Sequence, residues 1–312
     1  MIALRHIATP ALLAVLSGCG GAGDIAASGA LARGIATSGN VSGSFSAPSQ
    51  KGTLQIPFRL LRPKGVGPFP AIVIMHDCSG LGPRASGSPL RWARKLLADG
   101  YVIIIPDSFT PRGFPEGVCT NNRSRAASPF VRSGDALSAL AHLRTLSYVD
   151  PAHIGLMGGS HGGSTTLAAM ADARAGFAAA IAFYPNCGVT YGQWRVTRKI
   201  ESERLILDFT GAYKPATPLL ILIGEKDDWT PAAYCQELAD AAKGAGYPVS
   251  IKVYPGALHA FDSYSKVTYN PERSNINKPD GRGATTGGDP IAWADAEQQV
   301  AAFFRTHLKD GT

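Results

Sequence analysis

Hydrophobic residues in this chain are grouped in short continuous runs separated by longer segments of mixed polarity. Continuous apolar runs of about four to eight residues are typical of strands that are covered on both faces of a sheet. The longer segments repeat apolar residues at the spacing of an amphipathic helix. The predicted strands are 54–61, 71–75, 101–106, 154–157, 179–183, 219–223 and 250–254, and the predicted helices are 89–98, 129–146, 163–175, 231–243 and 291–307.

Strands that alternate with helices predict right-handed crossovers and a mostly parallel, doubly wound α/β sheet. Ligands bind beyond the carboxyl ends of the strands in such sheets. Two long connections, 109–128 and 186–217, are therefore expected to form walls or a lid over a site. Residues 265–288 are polar and rich in Gly, Asn and Pro, and we interpret them as a surface excursion before the last helix.

The beginning of the chain has the pattern of an export signal. Residues 1–19 combine a positive start, a short apolar run over 11–16 and small residues at the end. The ending Leu16-Ser17-Gly18-Cys19 resembles the lipobox of bacterial lipoproteins. That resemblance implies that Cys19 becomes a lipid-bearing N-terminus, and Gly20 in the next position favours the outer membrane or the periplasmic face of the cell envelope.

Composition divides the remainder into two parts. Residues 20–50 consist largely of Gly, Ala and Ser and predict a flexible tether, because they contain too few large apolar residues to form a core. Residues 51–312 are long enough for one α/β domain. The formal net charge of +7 comes from dispersed basic residues without a long basic run, which argues against nucleic acid as a partner.

Export would place the cysteines in a compartment where disulfides can form. Apart from Cys19, the chain has four, and an oxidising compartment permits three full pairings among them. Because Cys119, Cys187 and Cys235 lie in loop or helix contexts after strands, we expect one disulfide among these three. Cys78 is expected to remain free because it lies in the loop after the predicted strand 71–75, where its backbone N–H is a candidate to bind an oxyanion.

The strongest chemical motif is the segment Gly158-Gly159-Ser160-His161-Gly162-Gly163. It contains the only G-x-S-x-G in the chain and lies between a predicted strand and a predicted helix. In this motif the serine occupies a strained turn that exposes its hydroxyl above the sheet, and the glycines leave room for neighbouring elements. We therefore predict Ser160 as a nucleophile, with the His161 N–H directed toward a developing oxyanion.

A serine nucleophile needs a base and an acid, which follow it along the chain in this fold. His259 lies in a loop after the predicted strand 250–254 and is the expected base, whereas His307 lies on the last predicted helix. For the acid, Asp227 is favoured over its neighbour Asp228, which could instead cap a helix or contact a loop. Glu225 is a more distant alternative.

A second oxyanion donor is expected in the loop that follows the predicted strand 71–75. Because a backbone N–H performs this role, the side chain is loosely constrained. We predict Cys78, with Asp77 as the alternative. His76 and His161 are expected to shape their loops with their side chains rather than to take part in the chemistry.

These motifs together resemble the dienelactone hydrolase family of α/β-hydrolases. The matching pieces are the strand and loop over 71–82, the segment 150–163, the G-x-x-D-x-x-x-P of 224–231, the H-x-F of 259–261 and the last helix. The resemblance implies a triad of Ser160, Asp227 and His259. It departs from the name-giving enzymes in having serine where they have a cysteine nucleophile, which points to a general carboxylesterase.

We therefore expect a lipid-anchored serine hydrolase that cleaves small-molecule esters through an acyl-enzyme. No metal or cofactor is expected, since the sequence has no zinc-type ligand spacing, P-loop or dinucleotide fingerprint. Two alternatives stay open. The same triad could serve an acyltransferase or a peptidase, or the chain could be a non-catalytic envelope lipoprotein on a hydrolase scaffold.

Overall fold

A central sheet of eight strands runs through the structure, a computed structural model that describes residues 40–49, 52–121, 125–172 and 175–310. All seven predicted strands are confirmed as members of this sheet. Its strands, in chain order, are β1 (Asn40–Ser49), β2 (Gly52–Leu61), β3 (Phe69–Met75), β4 (Val102–Pro106), β5 (Val149–Gly159), β6 (Ala179–Phe183), β9 (Leu219–Gly224) and β10 (Val249–Tyr254).

The order of strands across the sheet is β1-β2-β4-β3-β5-β6-β9-β10. The six strands from β4 to β10 are parallel to one another, and β2 and β1 add an antiparallel edge. The interior strands are almost wholly buried because both faces are covered. The predicted mostly parallel sheet is therefore confirmed.

The five predicted helices are also confirmed: α1 (Ser88–Ala98), α2 (Pro129–Arg144), α3 (His161–Met170), α4 (Ala232–Gly244) and α5 (Pro290–Leu308). They cover both faces of the sheet. On β5, a side chain at Gly155 would meet Phe304 and Leu308 of α5, whereas one at Gly158 would meet Gly162 of α3. Positions 155 and 158 point to opposite faces of a strand, so α3 and α5 flank opposite faces, as a doubly wound fold requires.

Part of the predicted tether is folded. Residues 40–49 form β1, which pairs with β2 along its whole length from Asn40↔Leu61 to Ser49↔Gly52. Phe45 and Ala47 are buried and Phe45 stacks on Phe58. The tether prediction is wrong here because only two positions of the strand, Phe45 and Ala47, are buried, which is too few to show the two-residue period. Residues 1–19, including Cys19, and residues 20–39 lie outside the described part of the chain. Within the described part, no helix is long and apolar enough to cross a membrane.

Two hairpins occupy segments that the sequence left without elements. Strands β7 (Arg195–Glu201) and β8 (Arg204–Thr210) lie in the connection 186–217, and β11 (Thr268–Ser274) and β12 (Arg282–Thr286) lie in 265–288. The second segment is not a simple surface excursion, because Asn275 is fully buried and donates to Asp228 O at 2.9 Å and Gly283 O at 2.8 Å. Polar residues that are buried through such bonds cannot be distinguished from surface residues by composition.

The start of α3 lies very close to the sheet. A Cβ atom at Gly162 would lie 2.1 Å from Met75 O on β3, and one at Gly163 would lie 2.5 Å from Phe183 O on β6. Both neighbours are backbone atoms of central strands, which cannot move aside without disturbing the sheet. The two glycines therefore set how closely the helix approaches the carboxyl ends of the strands.

This approach predicts a large cost for Gly162→Ala. The substitution should lower the free energy of unfolding by about 2 kcal/mol or more, because the methyl group overlaps a fixed carbonyl. Urea unfolding followed by circular dichroism measures this. The matched control is Gly134→Ala on α2, where nothing lies within 4 Å of the added Cβ, and it should stabilise the protein by up to about 1 kcal/mol. Equal effects of the two substitutions would contradict the packing argument.

Candidate active site

Ser160 lies in the turn that joins β5 to α3. Its φ of 55° and ψ of −116° are strained for a residue other than glycine. Two backbone bonds hold this conformation: the Ser160 N–H donates to Phe183 O at 2.9 Å, and Ser160 O accepts from the Ser164 N–H at 2.8 Å. The turn predicted from the glycine pattern is therefore present, with the serine at its apex.

Three of the predicted site residues form one hydrogen-bonded line. His259 Nε2 lies 2.9 Å from Ser160 Oγ, and His259 Nδ1 lies 2.7 Å from Asp227 Oδ2. His259 and Asp227 are both buried. A hydroxyl, an imidazole and a carboxylate in this order can transfer a proton from the hydroxyl while the carboxylate stabilises the imidazolium.

The local fold of the loop after β9 orients Asp227. Its Oδ1 accepts hydrogen bonds from the N–H groups of Trp229 at 2.9 Å and Thr230 at 2.8 Å, and its Oδ2 lies 2.9 Å from Thr230 Oγ1. Asp228, the alternative in the sequence, points elsewhere and accepts from the Thr285 N–H at 2.7 Å. Glu225 accepts from the Gly256 N–H. Of the three acids, Asp227 is thus the one beside His259.

Aromatic rings enclose His259 on two sides. The centroids of Tyr184 and Trp229 lie 4.6 Å and 4.8 Å from that of the imidazole. Tyr184 is fixed in turn because its hydroxyl donates to Asp262 Oδ1 at 2.6 Å, and Asp262 also accepts from Trp92 Nε1 at 2.7 Å. Burial and the Asp262 carboxylate raise the pKa of Tyr184 well above its usual value, so its hydroxyl keeps the proton of this bond.

The two predicted oxyanion donors line the same pocket as Ser160. His161 is the first residue of α3, where backbone N–H groups have no partner within the helix. Cys78 follows β3 and lines the same pockets as Ser160, and no hydrogen bond found within the described residues uses its N–H. The Asp77 carboxylate accepts from the Ser79 N–H at 2.7 Å and so helps to shape this loop.

The cysteines pair differently from the prediction. Cys78 is bonded to Cys119, and Cys187 is bonded to Cys235. The expectation of one disulfide among the last three cysteines is confirmed, but the expectation that Cys78 is free is wrong. The connection after β4 folds back over the Cys78 loop, where the Val118 N–H donates to Cys78 O at 2.7 Å. Nothing in the spacing of the cysteines revealed this close approach.

Arg132 is a buried residue of the site that the sequence did not reveal. One guanidinium nitrogen lies 2.7 Å from His161 Nδ1, and the other donates to His76 O at 2.7 Å. Burial lowers the pKa of Arg132 to about 9. Burial and the Arg132 charge keep the pKa of His161 well below its usual value, so the ring stays neutral and its Nδ1 accepts the hydrogen bond. The His76 ring in turn accepts a hydrogen bond from the Ser108 N–H at 3.2 Å, so the side chains of His76 and His161 shape their loops, as expected.

Two pockets meet at Ser160. The first, called the apolar pocket, has a volume of about 190 Å³. Its surface is mainly apolar and includes Phe130, Val189, Tyr191 and Ile276, although several hydroxyl and amide side chains also line it. The second, called the polar pocket, has a volume of about 350 Å³ and includes His259 with charged and hydroxyl side chains. Both long connections and the β11–β12 hairpin contribute to these walls. Among the described residues, no group of three or more acidic, His or Cys side chains could hold a metal ion.

Comparison with known proteins gives one family and several distant relatives. The model of the dienelactone hydrolase family matches residues 56–308. A Synechocystis protein, provisionally assigned as a carboxymethylenebutenolidase, is 24% identical over 82% of this chain and 94% of its own length. The acylamino-acid-releasing enzyme of Arabidopsis thaliana is 29% identical, and the match spans 62% of this chain but only 28% of that enzyme.

A solved structure shares the fold at low identity. It is a dienelactone hydrolase-like promiscuous phosphotriesterase from metagenomic libraries, with a TM-score of 0.60 and 15% identity over 86% of this chain and 99% of that one. At this identity the likeness concerns the fold alone. It agrees with the architecture described above, and the family model covers every residue of the hydrogen-bonded line at Ser160.

The two disulfides provide a matched test of the site. They close loops of similar length, with sequence separations of 41 and 48 residues, so removing either should lower the free energy of unfolding by about 4 kcal/mol. Only Cys78–Cys119 borders Ser160. We expect Cys78→Ala with Cys119→Ala to lower kcat for ester hydrolysis about tenfold or more by loosening the loop that carries Cys78 beside Ser160. Cys187→Ala with Cys235→Ala should leave kcat within about twofold, and equal losses of kcat would contradict this role.

Proposed function

The chain belongs to the dienelactone hydrolase family, and we propose that it hydrolyses carboxylic esters of small molecules with Ser160 as nucleophile, His259 as base and Asp227 as the orienting acid. The observation that carries the proposal is the hydrogen-bonded line from Ser160 Oγ through both ring nitrogens of His259 to Asp227. The serine lies at a strained turn above the sheet, where a bound carbonyl group can reach it.

The reaction follows from this geometry in two halves. Ser160 Oγ attacks the ester carbonyl carbon while His259 Nε2 accepts the hydroxyl proton, and Asp227 stabilises the imidazolium. The N–H groups of His161 and Cys78 bind the oxyanion of the tetrahedral intermediate. His259 then returns the proton to the leaving oxygen as the C–O bond breaks, which leaves an acyl-enzyme. Water, activated by His259, repeats these steps and releases the acid.

The hydrogen bonds around Asp227 favour a catalytic role over the non-catalytic alternative. A binding protein on a hydrolase scaffold would not need a buried carboxylate held by three donors beside an imidazole. An acyl acceptor other than water, or an amide substrate as in the partly matching acylamino-acid-releasing enzyme, would use the same groups. Activity on esters and amides must therefore be compared directly.

We also propose that the protein is exported and carries lipid on Cys19 in the cell envelope. The signal-like pattern of residues 1–19 supports this. Two disulfides support export independently, because such bonds persist mainly in oxidising compartments.

Replacing the nucleophile tests the activity. Ser160→Ala should lower kcat for p-nitrophenyl butyrate by about 10⁴-fold or more, because no other group forms the acyl-enzyme, while thermal unfolding stays cooperative. Ser250→Ala, at an exposed position on β10, is the matched control and should retain full activity. Substantial activity in Ser160→Ala would refute the assignment. Faster cleavage of acylated p-nitroanilides than of the esters would favour the peptidase alternative.

The lipid anchor has its own test. The full chain produced in a Gram-negative host should fractionate with membranes and enter the detergent phase in Triton X-114 partitioning, because acylation adds buried methylene groups. Cys19→Ser should remove the modification and leave unprocessed or soluble protein. Wild-type protein that is cleaved, soluble and unacylated would instead identify an ordinary secreted form.

A further inference from the structure

The two pockets at Ser160 differ in chemistry, and their difference bears on the substrate. The apolar pocket is walled by Phe130, Val189, Tyr191 and Ile276. Its inner wall is fixed, since the Tyr191 hydroxyl donates to Asn186 O at 2.9 Å and the Asn186 N–H donates to Ser164 Oγ at 2.9 Å. The pocket therefore has a defined depth rather than an adaptable end.

The polar pocket carries charges of both signs. Its carboxylates are Asp77 and Asp262, and its guanidinium groups include Arg91, which donates to Ser86 O at 2.8 Å and Asp262 O at 3.1 Å. Arg273 lies over the Trp229 ring at 5.0 Å. Because guanidinium donors and several serine and threonine hydroxyls line the same pocket, it suits a group with several hydroxyls, each of which both donates and accepts.

The position of His259 indicates which pocket binds the alcohol part of the ester and which binds the acyl part. In the proposed reaction its Nε2 must give a proton to the leaving oxygen, so this oxygen must lie within hydrogen-bond reach of that atom. His259 lines the polar pocket but not the apolar one. The leaving alcohol thus lies in the polar pocket, and the acyl group, which remains attached to Ser160, extends into the apolar pocket.

Building on the proposed ester hydrolysis, we infer that the substrates are esters of a short apolar carboxylic acid with a polar, hydroxyl-rich alcohol such as a glycerol or sugar unit. A cavity of about 150 Å³ lined by apolar side chains takes up a benzene ring. The apolar pocket, at about 190 Å³, thus accommodates an acyl group of about six carbons.

An acyl-length series tests the size of the apolar pocket. For p-nitrophenyl acetate, butyrate, hexanoate, octanoate and dodecanoate, kcat/KM should be highest at butyrate or hexanoate and at least about tenfold lower at dodecanoate. Ile276→Phe enlarges a half-exposed side chain of the apolar pocket, and should lower the hexanoate-to-acetate ratio at least about fivefold. Ile206→Phe, equally exposed on β8 but outside both pockets, should leave this ratio unchanged.

An alcohol series tests the orientation. Among butyryl esters, the glycerol monoester should exceed the 1-butanol ester in kcat/KM by about tenfold. Arg273→Ala should reduce this preference without changing the acyl-length profile. If Ile276→Phe changed the alcohol preference instead, or if dodecanoate were as good as butyrate, the inference would be overturned. Absence of hydrolysis of every ester by the wild-type protein would instead overturn the proposed function itself.

Discussion

The close contact between the start of α3 and the carboxyl ends of β3 and β6 is the constraint on which the site depends. Side chains at Gly162 or Gly163 would overlap the carbonyl groups of Met75 and Phe183. Ser160 lies directly before this contact with a strained backbone, and its hydroxyl lies 2.9 Å from His259 Nε2. The helix begins at the next residue, His161, so one packing contact positions both the proposed nucleophile and a proposed oxyanion donor.

The parallel sheet supplies the other members of the line. Strands β9 and β10 are neighbours in register, with Tyr254 opposite Gly224, and their following loops therefore leave the same edge side by side. Asp227 comes from one loop and His259 from the other. Between β10 and β5 lie only β9 and β6, so the imidazole can reach Ser160. The order of the three residues along the chain thus follows from the order of the strands.

The sequence predicted the central strands and the turn at Ser160 well because both are marked by residues that are close together in the chain. Continuous apolar runs mark buried strands, and the glycines around Ser160 record contacts that exclude side chains. The features it missed depend on partners far along the chain. The carboxylate of Asp262 can be buried because it accepts hydrogen bonds from Trp92 and Tyr184. The guanidinium of Arg132 can be buried because it contacts His161 and His76. Cys78 pairs with Cys119 only after the connection between them folds back. Strand β1 was missed because only two of its residues, Phe45 and Ala47, face the core.

Covalent labelling by a fluorophosphonate most directly tests whether the line of Ser160, His259 and Asp227 activates the serine. The account predicts one adduct per folded chain, located on Ser160 by peptide mass spectrometry, formed with loss of fluoride and at a rate at least about 10³-fold lower in Asp227→Asn. An adduct on another residue, no adduct on the folded protein, or equal rates in Asp227→Asn and wild type would contradict it.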